Sequence, residues 1–113
     1  MHRLPPLQSL VFFEAAVRHL SFTAAAHELG TSQSAVSQRI GLLEDDLGAL
    51  LFKREHRGVS LTHEGLQLVT AVRESLGSIG EAAAKIRARR ERQVLTVATD
   101  FAFATYWLMP RLA

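Results

Sequence analysis

The 113-residue sequence contains no cysteine, which excludes disulfides, thiolate zinc sites and cysteine nucleophiles together. Nor does it hold an unbroken apolar run near the roughly 18 residues that a membrane span needs. The opening segment MHRLPPLQSLVFFEAA superficially resembles a secretory signal. Gln8, Ser9 and Glu14 interrupt it, and no small-residue cleavage site follows a clean run. A soluble, cytoplasmic protein is the expectation. No Walker loop, G-x-S-x-G elbow or G-x-G-x-x-G turn occurs, and His2, His19, His27, His56 and His63 fall in neither an HExxH motif nor a paired metal spacing. No metal, no cofactor and no catalytic residue is therefore expected, and Asp45-Asp46 reads as a charged helix end rather than a catalytic dyad. Neither sign of charge dominates: the net formal charge is only +2. That is a slight lean toward polyanions and decides nothing alone.

What is present is apolar patterning. Hydrophobic residues make up 48% and charged residues 21%, enough for a packed core and unlike a disordered chain. Pro5 and Pro6 suit a helix start, and Leu10, Phe13, Val17 and Leu20 form one stripe of a first helix. Ser21 caps a short alanine-rich second helix, from Phe22 to Leu29, that Gly30 ends. Thr31 or Ser32 caps a third helix reaching about Leu47, with Val36, Ile40, Leu43 and Leu47 inward and Gly48 as its stop. Leu51–Arg54 and Gly58–Leu61 read as a two-stranded wing around a Glu55-His56-Arg57 tip. Thr62 caps a fourth helix that runs to about Arg92. Its apolar positions Val69, Val72, Leu76, Ile79, Ala83 and Ile86 repeat with heptad spacing, weakened locally by Gly77 and Gly80. The same spacing describes a helix packed on its own domain. Length favours pairing between two copies, because some 30 residues span roughly 45 Å. After the charged run RARRER, Val94–Ala98 reads as a buried strand and Phe101–Ala113 as the start of another helix. A lone strand and helix cannot bury themselves, so this tail is expected to be poorly ordered or packed on another copy.

The fold class is thus mainly α: a winged helix-turn-helix over residues 1–62, a linker and dimerisation helix over 63–92, and the truncated first strand and helix of an α/β effector domain over 93–113. In a helix-turn-helix, bases are read by short polar side chains near the start of the second helix. Gln33, Ser34, Ala35, Ser37 and Gln38 supply such a face. The two glutamines can offer a donor and an acceptor to an adenine edge, and the Ala35 methyl suits a thymine methyl. Ser21, Thr23 and Ser32 lie near helix N-termini, where backbone N–H groups attract phosphate oxygens. Arg39, Lys53, Arg54 and Arg57 add cations, and an arginine at the wing tip suits a narrow minor groove. The plain alternative is ordinary caps, solvated polar residues and a solvated hairpin, with Glu55 making the tip less basic.

Jointly, several short motifs resemble the LysR-type transcriptional regulators across residues 7–112. They are Leu10-x-x-Phe13, Ser21-Phe22-Thr23-x-Ala25-Ala26-x-x-Leu29, Ser32-Gln33-Ser34-Ala35-Val36-Ser37, Leu43-Glu44-x-x-Leu47-Gly48, Leu51-Phe52-x-Arg54 and Leu61-Thr62-x-x-Gly65. The opening and the tail Trp107-Leu108-Met109-Pro110-Arg111-Leu112 are most similar to the subgroup of glycine-cleavage and β-lactamase activators. The resemblance implies double-stranded promoter DNA as partner, paired linker helices, and homodimers that often assemble as tetramers on bent DNA. It implies base contacts from Gln33, Ser34, Ala35, Ser37 and Gln38 and a groove contact from Arg57. It also implies a two-lobed C-terminal domain that senses a small effector, with the loop around Thr99, Asp100 and Phe101 helping to line its pocket. The subgroup tends to place small hydroxyl residues in that loop, where this chain has Asp100 and Ala102; Asp100 points to a cationic or amino-bearing ligand, unless it only caps the next helix. Two alternatives stay open: an oligomerisation module with negligible DNA affinity by itself, and a winged-helix regulator of another family.

Overall fold

The structure, a computed structural model, describes the backbone of residues 2–112 and the side chains of residues 2–101. In chain order it holds α1 (Leu7–His19), α2 (Phe22–Leu29), α3 (Gln33–Leu47), β1 (Phe52–Glu55), β2 (Gly58–Leu61) and α4 (His63–Leu112). Contacts divide the chain into a unit spanning Met1–Ser75 and a second spanning Leu76–Ala113.

The first unit is a three-helix body carrying a hairpin. Phe13, Ala15, Ala16 and Val17 of α1, Phe22, Ala25 and Ala26 of α2, and Val36, Ile40 and Leu43 of α3 are buried together with Leu51, Phe52 and Val59. The alanines let the helices approach closely. Phe52 stacks obliquely on Phe13 at 5.6 Å and edge-on to Phe22 at 5.3 Å, so three aromatic rings join the hairpin to both helices. Val69 and Val72 of α4 belong to this same core, each 4% exposed.

The elements end as their residues require. Leu20 closes α1 in the left-handed region (φ 50°), an uncommon conformation for a leucine. Gly30 and Gly48 adopt it at the ends of α2 and α3. Thr62 has three roles at the start of α4: its N–H donates to the Leu51 carbonyl (3.0 Å), its hydroxyl donates to the Leu50 carbonyl (2.6 Å), and its Oγ1 accepts from the Gly65 N–H (3.0 Å).

Several expectations are corrected. Leu47 is 42% exposed and Leu20 45% exposed; each lies at the end of its helix, where the chain turns and the stripe has no neighbour left to face. The wing strand begins at Phe52 and includes Glu55, which pairs with Gly58, so the tip is only His56-Arg57. Residues 94–98 are helical, and α4 continues through Arg92 to Leu112. A single strand there would leave its N–H and C=O groups without a ladder, whereas a continued helix pairs them internally. Val94, Val97 and Phe101 also keep a 3-4 spacing that a helix accommodates. Ala113 and the side chains beyond Phe101, including the Trp107–Leu112 motif and the question of how the tail packs, lie outside the described residues.

Candidate nucleic-acid interface

The start of α3 is set by Ser32, whose hydroxyl accepts the Ala35 N–H at 3.1 Å. Ser21 does the same for α2, accepting from Ala24 at 3.2 Å. Both serines are helix caps, as the plain reading held, although each hydroxyl keeps its own proton to donate. Thr31 and Gly30 close α2 on the carbonyls of Ala26 and His27, so only a few residues separate the two helices.

With Val36 and Ile40 pinned inside, the 3.6-residue repeat turns Ser34 and Gln38 to solvent; Gln33 is in register with Ile40 but is exposed too, because it opens the helix. Ala35, Ser37 and Arg39 are half-buried on the flanks of that face, and Thr23 on α2 is exposed. Gln33, Ser34, Ser37, Gln38 and Arg39 make no side-chain hydrogen bond or ion pair with any described residue. A partner binding here therefore breaks no internal bond.

The wing presents Lys53, Arg54, His56 and Arg57, all exposed. Lys53 and Arg57 are unpaired among the described residues. The Arg54 guanidinium lies over the Phe22 ring, 5.7 Å from its centroid, a contact that leaves its in-plane N–H groups to donate. Glu55 accepts the Ser60 hydroxyl at 2.7 Å, which occupies part of the carboxylate.

On α1 and its neighbours, several cations and anions neutralise one another. Arg18 bonds both Glu14 carboxylate oxygens at 2.8 Å and takes Glu28 in a two-point fork, and His19 reaches Glu28 at 2.8 Å. These bonds raise the Arg18 pKa further above its ordinary value. The Arg18 fork and the His19 contact hold the Glu28 carboxyl down at about 2. Arg73 lies 3.6 Å from Glu14, and Arg3 pairs with Asp46 at 2.7 Å. Arg18, Arg73 and Arg3 are thus engaged, whereas on the α3 and wing surface Arg39, Lys53, Arg54 and Arg57 form no ion pair among the described residues.

Sequence reasoning quoted Glu44 within a family motif but gave it no role. Its carboxylate accepts the Leu51 N–H at 2.7 Å and the Phe52 N–H at 3.3 Å, fixing where the wing leaves α3. The signal was available: an acid in the last turn of a helix opposes the macrodipole and invites a search for its partner. Of the residues expected to pair two copies, Val69 and Val72 are buried in the first unit's own core. Leu76 and Ala83 are half-buried, while Ile79 and Ile86 are 57% and 69% exposed. Thr99, Asp100 and Phe101 are exposed on α4. Among the described residues, no cluster of side chains could hold a metal ion and no helix is long and apolar enough to cross a membrane.

Over residues 7–66 the sequence matches the bacterial regulatory helix-turn-helix proteins of the lysR family. The chain belongs to this family. It is 48% identical over 111 residues to the glycine cleavage system transcriptional activator of Escherichia coli K12, a match covering 98% of the chain and 36% of that protein. It is 46% identical over 108 residues to the carbapenem-hydrolyzing β-lactamase transcriptional activator of Serratia marcescens, covering 96% of the chain and 37% of the relative. The chain thus spans little more than a third of the length of these curated relatives. Both are named as transcriptional activators. Among solved structures, the CbnR DBD–DNA complex superposes with a TM-score of 0.67 at 32% identity, over 74% of this chain and 97% of that one. The BenM DBD bound to catB site 1 DNA gives 0.69 at 31% identity, over 74% and 93%. The fold is the winged helix-turn-helix of lysR-family DNA-binding domains.

Proposed function

We propose that this chain is the promoter-reading and pairing part of a cytoplasmic LysR-type transcription regulator. The supporting observation is the unbonded polar face at the capped start of α3, set beside a hairpin with unpaired cations. In this reading α3 enters the major groove with Gln33, Ser34, Ala35, Ser37 and Gln38 at base edges. Ser21, Thr23, Ser32, Arg39, Lys53 and Arg54 hold phosphates, and Arg57 enters the flanking minor groove. The exposed Ile79 and Ile86, with Leu76 and Ala83, pair two copies, so that two recognition helices meet two half-sites. Pairing of such dimers gives a tetramer at full length. A small effector acts through a further domain; Thr99, Asp100 and Phe101 contribute to its site only once other chain covers them.

Gel-shift titration on the protein's own promoter DNA, at several salt concentrations, tests the reading. Specific binding with a steep salt dependence is expected. Gln33→Ala should relax base preference at one position by about 1–3 kcal/mol. Arg57→Ala should weaken binding to all sequences and flatten the salt slope. Salt-insensitive self-association without DNA binding would replace this reading with a pure oligomerisation module.

A further inference from the structure

The hairpin does not meet the helix-turn-helix through side chains alone. Leu20, between α1 and α2, stands in the left-handed region, and its carbonyl accepts the Val59 N–H at 3.2 Å. Directly beside that bond, Gly58 comes so close that an added Cβ would lie 2.5 Å from the same oxygen. Gly58 also has a φ of 120°, which L side chains rarely adopt. Two requirements, one steric and one conformational, thus coincide on the residue that follows the tip arginine. A third contact, the Arg54 guanidinium over Phe22, ties β1 to the first residue of α2.

We propose that Leu20 and Gly58 are positioning residues: their backbone joint fixes the wing tip against α2, and so sets where Arg57 lies relative to the α3 face. The chain of support is short. Leu20 adjoins Ser21, the cap of α2; α2 packs on α3; and Arg57 is one residue from the joint. A hairpin held only by its strand ends would let its tip swing, and a minor-groove arginine would lose its register with the base-reading residues. Leu20 takes part through its backbone oxygen, which accounts for a half-exposed leucine held in a conformation that glycine or asparagine would adopt more easily. This inference rests on the reading of the wing as a groove contact, but the joint itself can be tested without DNA.

Two measurements on the full-length protein decide it. The first is amide hydrogen exchange of the unbound wild type. The Val59 amide should be protected like the core amides of the same unit; exchange as rapid as that of Arg57 overturns the joint. The second is footprinting of Gly58→Ala on promoter DNA, with Arg57→Ala alongside. Hydroxyl-radical protection at the wing positions should be lost in both variants, while major-groove protection persists and the salt slope falls by about one. A folded Gly58→Ala protein with the wild-type footprint and slope overturns the proposal, as does uniform loss of both sets of protections. If Gly58→Ala does not fold, Val59 exchange decides alone. A wild type that gives no footprint sinks the proposed function, and the joint is then judged by exchange.

Discussion

Replacing Glu44 by alanine should damage the fold far more than its half-exposed position on α3 implies. The carboxylate accepts two backbone N–H groups, from Leu51 at 2.7 Å and Phe52 at 3.3 Å. Both residues are buried, at 1% and 7% exposure, so neither amide can readily turn to water. A hydrogen bond to a charged group contributes about 1.5–3 kcal/mol, and an orphaned buried donor costs a similar amount. The second bond is long and counts for less. Glu44→Ala should therefore lose about 2–4 kcal/mol, a large share of the roughly 5–15 kcal/mol typical of a domain. At about 4–8 °C per kcal/mol for a unit of this size, the melting temperature should fall by roughly 8–32 °C. Glu44→Gln keeps an acceptor oxygen and removes a negative charge from a helix C-terminus, so its loss should stay near 1 kcal/mol or less. Thermal and urea unfolding followed by circular dichroism measure both. An alanine variant within about 1 kcal/mol of wild type, or a glutamine variant as damaged as alanine, would refute the reasoning.

Gly65→Ala should destabilise the same junction from the other side. Its Cβ would fall 2.2 Å from the Leu51 carbonyl oxygen, and displacing α4 breaks the Thr62 bonds; a loss of about 3 kcal/mol, read by urea unfolding, is expected. Glu28 has its carboxyl lowered from 4.5 to about 2 by Arg18 and His19. Its contribution to stability is therefore complete above 4.5 and is lost as pH falls toward 2. Melting temperatures of wild type and Glu28→Gln should converge as pH falls through that window, and a constant difference would count against the pairing. Ile86→Asp should weaken self-association by about tenfold or more without lowering the melting temperature of the first unit, since burying an isoleucine is worth about 1.5–3 kcal/mol; sedimentation across a concentration series measures it.

The helix-turn-helix was legible because each element carries its own punctuation. Ser21, Gly30, Ser32, Gly48 and Thr62 mark ends that depend on local geometry, and local geometry follows from neighbouring residues. The exposure of Ser34 and Gln38 was legible for the same reason: once Val36 and Ile40 are inside, helical periodicity turns both outward, whereas Gln33 is exposed only because it opens the helix. The joints were not legible. Glu44 with Leu51, Leu20 with Val59, and Gly58 with the Leu20 carbonyl are contacts between distant residues, made partly by backbone atoms that are alike at every position. The strand expected at 94–98 failed for a related reason. A short run of apolar and β-branched residues fits a buried strand or a helix equally well, and what decides is whether partner strands exist.

The stripe on α4 shows the same ambiguity within one helix. Val69, Val72, Leu76, Ile79, Ala83 and Ile86 follow one another without a break in period, yet they do not share a task. The first two are already buried in the first unit, and the isoleucines are more than half exposed. A 3-4 repeat records that one side of a helix is covered; it does not record by what. Burial separates the roles: a polar residue at Val72 must cost stability in the monomer, whereas one at Ile86 has no intramolecular packing to lose. On the proposed pairing, the boundary between folding and association falls inside the heptad pattern, between Val72 and Ile79, and substitutions on either side of it should differ in whether their effect depends on protein concentration.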